Sequence, residues 1–224
     1  MIKKEKYEEY KNRLHQLISV DNITDSLFIL RIERKGLKFL PGQFIVIGIP
    51  GATTKREYSI YSGVEDAYLE IIVREVPEGD LSPQLKCLKP GDELVVDGPA
   101  GDFILPEDYE NKNFLFLASG TGISPFHSFL ASNKKLKHSL YHGVRTSSDL
   151  PLGVGFEKNN YMSCMSAEDS GDYFGYLTKY IKEHPVSGFD AVYMCGNGNM
   201  VYDAFNILIS QGISRDNLHA EIFF

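Results

Sequence analysis

The sequence predicts a β plus α/β protein: an antiparallel β-barrel over residues 1–108, then an α/β domain with a parallel sheet over residues 109–224. Three observations support this. The first half reads as short strands separated by Pro-Gly turns. From about Asn113 the rhythm changes to strands alternating with amphipathic helices. The composition is that of a folded chain, with 224 residues of which 43% are hydrophobic and 24% charged, too apolar for disorder.

Six segments rich in Ile, Val, Leu, Phe and Tyr form the first half: His15–Val20, Ser26–Glu33, Gln43–Pro50, Glu57–Ser62, Ala67–Val76 and Asp92–Gly98. Turn signals at Pro41-Gly42, Pro50-Gly51, Pro77-Glu78-Gly79 and Pro90-Gly91 separate them. Six strands so spaced favour a closed barrel, which hides its edges. One short helix, Ser82–Leu88, interrupts them. In the second half, Phe114–Ser119 is an apolar run of the kind buried on both faces of a parallel sheet. A helix follows with Phe126, Phe129 and Leu130 at i, i+3, i+4. Further strands are expected at His138–Val144, Tyr161–Ser166, Ala191–Gly196 and Leu218–Phe224. Two more helices carry Leu177, Tyr180 and Ile181, and Val201, Ala204, Phe205 and Leu208. The last of these should end at Gly212.

Charge and cysteine content narrow the function. With 23 Lys and Arg against 30 Asp and Glu, the net charge is −7, opposite to that of a general nucleic-acid binder. No apolar run approaches the ~20 residues of a membrane helix, and the polar N-terminal segment lacks a signal-like core. Three scattered cysteines, Cys87, Cys164 and Cys195, make neither a disulfide scaffold nor a thiolate cluster. A monomer in the cytoplasm, without membrane insertion or nucleic-acid binding, is expected. His138 and His142 share a strand rather than a helix face, so no metal site is expected.

Four loops could carry chemistry. Ser119-Gly120-Thr121-Gly122-Ile123-Ser124-Pro125 joins a strand to a helix, with amides suited to an anion and Pro125 in the first turn. Met194-Cys195-Gly196-Asn197-Gly198-Asn199-Met200 repeats that placement, so both turns should share the ligand-binding edge of the sheet. Arg56-Glu57-Tyr58-Ser59 combines a phosphate-matching fork, a flat ring and a hydroxyl. Strand alternation separates Arg56 and Tyr58 from Ser59, so a shared ligand must lie near the strand end. Gly79-Asp80-Leu81-Ser82-Pro83 offers amides to a phosphate. Each loop also has an ordinary reading: a tight turn, a buried small Cys195, a solvated strand, and a helix cap made by Ser82 with Pro83.

Taken in order, Arg-x-Tyr-Ser, Gly-x-Leu-Ser-Pro, Gly-Thr-Gly-Ile-Ser-Pro and Cys-Gly-Asn resemble the ferredoxin–NADP reductase family of flavoproteins, over about Leu17 to Phe224. The segment Glu78–Leu94 most resembles the bacterial ferredoxin (flavodoxin) reductase branch. The resemblance implies an FAD-binding barrel and a Rossmann-like pyridine-nucleotide domain, with NAD(P)H as co-substrate. It implies hydride transfer between nicotinamide and flavin N5, then electron transfer to ferredoxin, flavodoxin or another small carrier. By resemblance, Arg56 holds the diphosphate, Tyr58 packs on the ring and Ser59 bonds near N5. Ile72 and Val73 offer main-chain contacts, Leu81 and Ser82 cap the phosphates, and Thr121 approaches from the second domain. Gly120, Gly122, Cys195, Gly196, Asn197 and Met200 line the nucleotide crevice. Glu221 is the acidic residue near the reacting rings, with Ser59 and Cys195 as its catalytic companions, and Phe223 or Phe224 shields the flavin.

The nucleotide loops depart from the family's NADPH-using members. Arg145 is kept beside Ser166 in the 2′-phosphate region, but Ala167 and Tyr176 stand where further arginines are expected. Glu168 and Asp169 lie close by, which implies that NADH is at least competitive. Lys134, Lys135 and Lys137 form the visible basic cluster for an acidic carrier. Two other readings remain: a free flavin or quinone reductase, and an electron-transfer subunit of a larger complex.

Overall fold

The computed structural model describes residues 11–150 and 159–223. Twelve strands among these form two six-stranded sheets. The first half supplies β1 (Leu14–Asn22), β2 (Leu27–Glu33), β3 (Phe44–Gly48), β4 (Lys55–Ser59), β5 (Tyr68–Arg74) and β6 (Glu93–Ala100). They pair antiparallel in the order β4-β3-β6-β1-β2-β5. Alternate residues such as Phe28, Leu30 and Ile32 of β2 and Ile45 and Ile47 of β3 enter one apolar core, as a period of two requires.

The two edge strands close the barrel at one end only. The Tyr61 amide, just past β4, donates to the Glu70 carbonyl of β5 at 2.7 Å. Toward Arg56 and Arg74 the edges face a common cleft. A barrel hydrogen-bonded around its whole circumference would have no such opening.

The short helix α1 (Ser82–Lys86) corrects the expected cap. Leu81 is its N-cap residue, without a side-chain bond. The Ser82 hydroxyl instead accepts from the Val76 amide at 2.9 Å. That amide lies in a turn that cannot supply a backbone partner, and the hydroxyl satisfies it.

The second sheet contains β7 (Asn113–Ser119), β8 (Lys137–Val144), β9 (Tyr161–Met165), β10 (Tyr173–Phe174), β11 (Ala191–Asn197) and β12 (Leu218–Phe223). All neighbours are parallel, in the order β10-β9-β8-β7-β11-β12. The order reverses between β7 and β11, a switch point whose carboxyl edge is open to ligands. Helix α2 (Ser124–Ser132) covers one face, and α3 (Leu177–Glu183) and α4 (Gly198–Ser210) cover the other. Phe114 and Phe116 of β7 point to the first face, Leu115 and Leu117 to the second, all fully buried. The two-residue β10 has no counterpart in the sequence reading, because so short a segment shows no period.

The halves are fused by a shared cluster. Leu27, Tyr61 and Ile72 from the barrel pack with Phe116, Phe126 and Phe129. The His127 ring stacks on Tyr61 at 3.7 Å between centroids. Its Nδ1 bonds the Tyr61 carbonyl at 2.7 Å, and the Ser128 hydroxyl donates to the Ser62 carbonyl at 2.8 Å. Phe116 stacks on Phe126 at 4.8 Å and has no solvent exposure. Phe116→Ala is expected to cost about 3–5 kcal/mol of unfolding free energy, read from urea denaturation.

Candidate functional site

A cleft of about 610 Å³ lies between the sheets, within the usual range for ligand sites. The barrel contributes Arg56, Glu57, Tyr58 and Ser59 from β4, Ile72 and Arg74 from β5, and Leu81 and Ser82 around α1. The parallel-sheet half contributes Thr121, Glu221, Ile222 and Phe223. Side chains from alternate faces of β4 reach one cleft because β4 is an edge strand and the cleft lies at its open end. Asp80, from the fourth candidate loop, lines it, as do Phe44, Lys55 and Val76. Sequence reasoning missed the last three, since pairing and folding back, not local pattern, bring them there.

Arg56 is exposed, with Nη1 donating to the Lys55 carbonyl at 2.9 Å. Tyr58 is half-buried, and desolvation pushes its phenol up to about 12 despite Arg56. It stays neutral at ordinary pH. Val73 points into the barrel core, so only its main chain is available toward the cleft. Phe224 lies outside the described residues.

At the floor, three candidate residues meet. The Ser59 hydroxyl donates to Glu221 Oε2 at 2.8 Å, and Cys195 Sγ lies 3.8 Å from the same oxygen. Strand register explains this: Cys195 of β11 is directly opposite Glu221 of β12. Burial raises the Glu221 carboxyl above its ordinary range, and the Ser59 and Cys195 bonds only partly oppose it. Burial, reinforced by Glu221, raises the Cys195 thiol well above normal. Cys195 is therefore a neutral S–H donor rather than a thiolate.

The two glycine turns interlock beside this floor. A Cβ on Gly122 would lie 2.3 Å from the Cys195 carbonyl oxygen, and one on Gly196 would lie 2.4 Å from Ser119 Oγ. Gly196 also has a φ of +128°. The Asn197 amide donates to Ser119 Oγ at 2.9 Å, while Asn197 Oδ1 caps α4 through the Asn199 and Met200 amides. Gly120, at φ +52°, accepts at its carbonyl from His142 Nε2 at 2.9 Å. That bond fixes the tautomer: Nδ1 accepts from the Tyr161 hydroxyl at 2.9 Å. Burial lowers the His142 pKa to about 4, so the ring is neutral.

Gly120, Gly122, Cys195, Gly196, Asn197 and Met200 thus gather at the carboxyl edge next to the cleft rather than on its lining. Arg145 and Ser166 follow β8 and β9 on that edge, and the structure does not bring them into the cleft. Arg145 is exposed, and its carbonyl accepts from the Ala167 amide. Glu168 accepts from the Ser147 amide and hydroxyl and from Ser170.

Comparison places this two-sheet fold in a class, the oxidoreductases that join an FAD-binding to an NAD-binding domain. Residues 14–104 match the oxidoreductase FAD-binding domain and 116–205 the oxidoreductase NAD-binding domain. Over 228 residues the chain is 30% identical to the toluate 1,2-dioxygenase electron transfer component of Pseudomonas putida, covering 96% of this chain and 67% of that one. Over 153 residues it is 39% identical to the flavodoxin/ferredoxin–NADP reductase of Escherichia coli (strain K12), covering 64% of this chain and 62% of that protein, under two thirds of its length. A cytochrome P450 reductase structure from Amycolatopsis superposes with a TM-score of 0.82 at 28% identity, covering 93% of this chain and 68% of that one. The chain belongs to the ferredoxin–NADP reductase family.

Two outcomes test the site. Gly122→Ala must push two backbones apart and should cost about 1–3 kcal/mol, read as a fall in unfolding temperature. The raised Glu221 pKa means that the folded state holds this proton more tightly than the unfolded chain. Its stabilising effect is complete at low pH and is lost as pH rises through the folded pKa. Glu221→Gln cannot ionise, so its unfolding temperature should gain on that of the wild type as pH rises from about 4 to 8.

Proposed function

We propose that the chain is an FAD-dependent NAD(P)H oxidoreductase that passes electrons to ferredoxin, flavodoxin or a related small carrier, with its domains divided between residues 108 and 109. The observation that carries this reading is the shared cleft: Tyr58 and Ser59 of the barrel face Thr121, Glu221 and Phe223 of the nucleotide-binding half. Bound FAD supplies the hydride-accepting ring and the capacity to release electrons one at a time.

The residues present fit that group. Arg56 brings positive charge to a cleft that also holds the Leu81–Ser82 segment, which suits a diphosphate, while Lys55 and Arg74 on the same lining are paired with Asp97 and Asp149. Tyr58 and Ile72 give flat and apolar surface for a ring, and the main chain at Ile72 and Val73 gives contacts to its edge. Ser59 places a hydroxyl at the floor, oriented by Glu221. Thr121 closes the cleft from the opposite side, and Phe223 covers it against water. Gly120, Gly122, Gly196, Asn197 and Met200 shape the adjoining edge for a dinucleotide. Glu221 Oε2 holds Ser59 and the neutral Cys195 thiol in one arrangement.

The loop beyond β9 supports use of NADH. Near Arg145 and Ser166, Ala167 and the exposed Tyr176 bring no positive charge, and the carboxylate of Glu168 is held in place by Ser147 and Ser170. A doubly charged phosphate there has poor compensation. A small protein carrier is favoured over free flavin by the match to electron-transfer components. Among the described residues no helix is long and apolar enough to cross a membrane. The proposed working state is a cytoplasmic monomer, whose oligomeric state light scattering of the purified protein tests.

The purified protein should be yellow and be bleached by NADH without oxygen, as read by absorbance. A colourless preparation that also refuses added FAD overturns the reading. NADH should match or exceed NADPH in kcat/KM, and an advantage for NADPH of roughly a hundredfold, about 2.7 kcal/mol, contradicts the nucleotide assignment.

A further inference from the structure

An ion pair joins the flavin-side cleft to the nucleotide-side loops. Arg74, at the end of β5, lines the cleft. Its Nη2 donates to Asp149 Oδ1 at 2.9 Å, and its Nη1 donates to Ser26 Oγ at 3.3 Å. Asp149 ends the single turn Ser147–Asp149 that follows β8. Its other oxygen accepts from the Thr146 amide at 3.4 Å and hydroxyl at 3.3 Å, so the carboxylate also closes that turn on itself. The Asp149 side chain is 11% exposed and that of Arg74 is 39% exposed. Burial raises the Asp149 carboxyl, but the Arg74 and Thr146 bonds outweigh it and hold the group below its ordinary range.

The same turn grips the next loop. The Ser147 amide and hydroxyl hold Glu168 at 2.8 and 3.0 Å, and the Ser170 hydroxyl holds it at 2.8 Å. A continuous path therefore runs from Arg74 through Asp149 and Ser147 to Glu168. It links the barrel edge to two loops at the carboxyl edge of the parallel sheet, where a dinucleotide binds.

We propose that the Arg74–Asp149 pair is a positioning strut: Asp149, anchored by Arg74, sets residues 145–149 after β8 and 166–170 after β9 at the distance from the barrel that the dinucleotide requires. Asp149 touches neither the cleft floor nor the Ser59–Glu221 pair. Its loss should loosen nucleotide binding while leaving the reacting geometry intact once the site is saturated. This rests on the flavin and nicotinamide reading above.

The test uses the flavin-loaded full chain with Asp149→Asn and Asp149→Ala. The probe is NADH in steady-state kinetics, with NAD+ titrated by calorimetry. Asp149→Ala should raise the KM for NADH and the Kd for NAD+ about fivefold, with kcat within about twofold and flavin content unchanged. Asp149→Asn keeps the turn's shape and should show a smaller rise. Unchanged KM and Kd in Asp149→Asn and Asp149→Ala overturn the proposal. So does a fall in kcat or flavin content that accounts for the whole effect, since that marks a structural or flavin-side role. Failure of the underlying reading looks different, because the wild type itself would then hold no flavin and oxidise no NADH.

Discussion

The close approach of two backbones at the switch point governs the rest of the site. Gly122 sits against the Cys195 carbonyl and Gly196 against Ser119, at separations no Cβ could share. This contact brings the ends of β7 and β11 together, and strand register then fixes everything beside them. Cys195, immediately before Gly196, is paired with Glu221, so the floor of the cleft lies directly beside this contact. Glycine here serves proximity more than flexibility, and the ligand edge is open because these two turns occupy so little space.

Burial does the electrostatic work at that floor. Glu221 lies in a setting that disfavours its charge, and Ser59 and Cys195 offset only part of the cost. The result is a carboxyl whose proton is retained to higher pH, next to a thiol that does not ionise. A hydrogen-bonded floor whose carboxyl resists ionisation and whose thiol stays protonated suits the hydride transfer proposed for this site. His142 follows the same logic one layer back: burial keeps it neutral, and neutrality gives it a fixed donor for the Gly120 carbonyl.

The two halves are welded at one place and separated at another. The cluster around Tyr61, Phe116, Phe126 and Phe129 excludes water, and backbone bonds from His127 and Ser128 fix its register. Away from this seam, the edges β4 and β5 are left unpaired toward the cleft. An open barrel edge is a hazard in an isolated domain. In this chain it is where the second half and the ligand cleft meet it.

The strands of the barrel, the β7 run and the principal helices were legible in the sequence, because period-two and period-3.6 patterns and Pro-Gly turns are local signals. The four loops stood out as candidates through the order in which Arg56, Tyr58, Ser59 and the glycine turns occur, each alone having an ordinary reading. Tertiary structure alone decided what they face. Ser59 meets Glu221 across 162 residues, Arg74 meets Asp149 across 75, and Ser82 serves Val76 instead of capping its own helix. No local pattern encodes such pairs. They exist because chain closure places distant polar groups in a common low-dielectric setting, where each must find a partner or remain in contact with water.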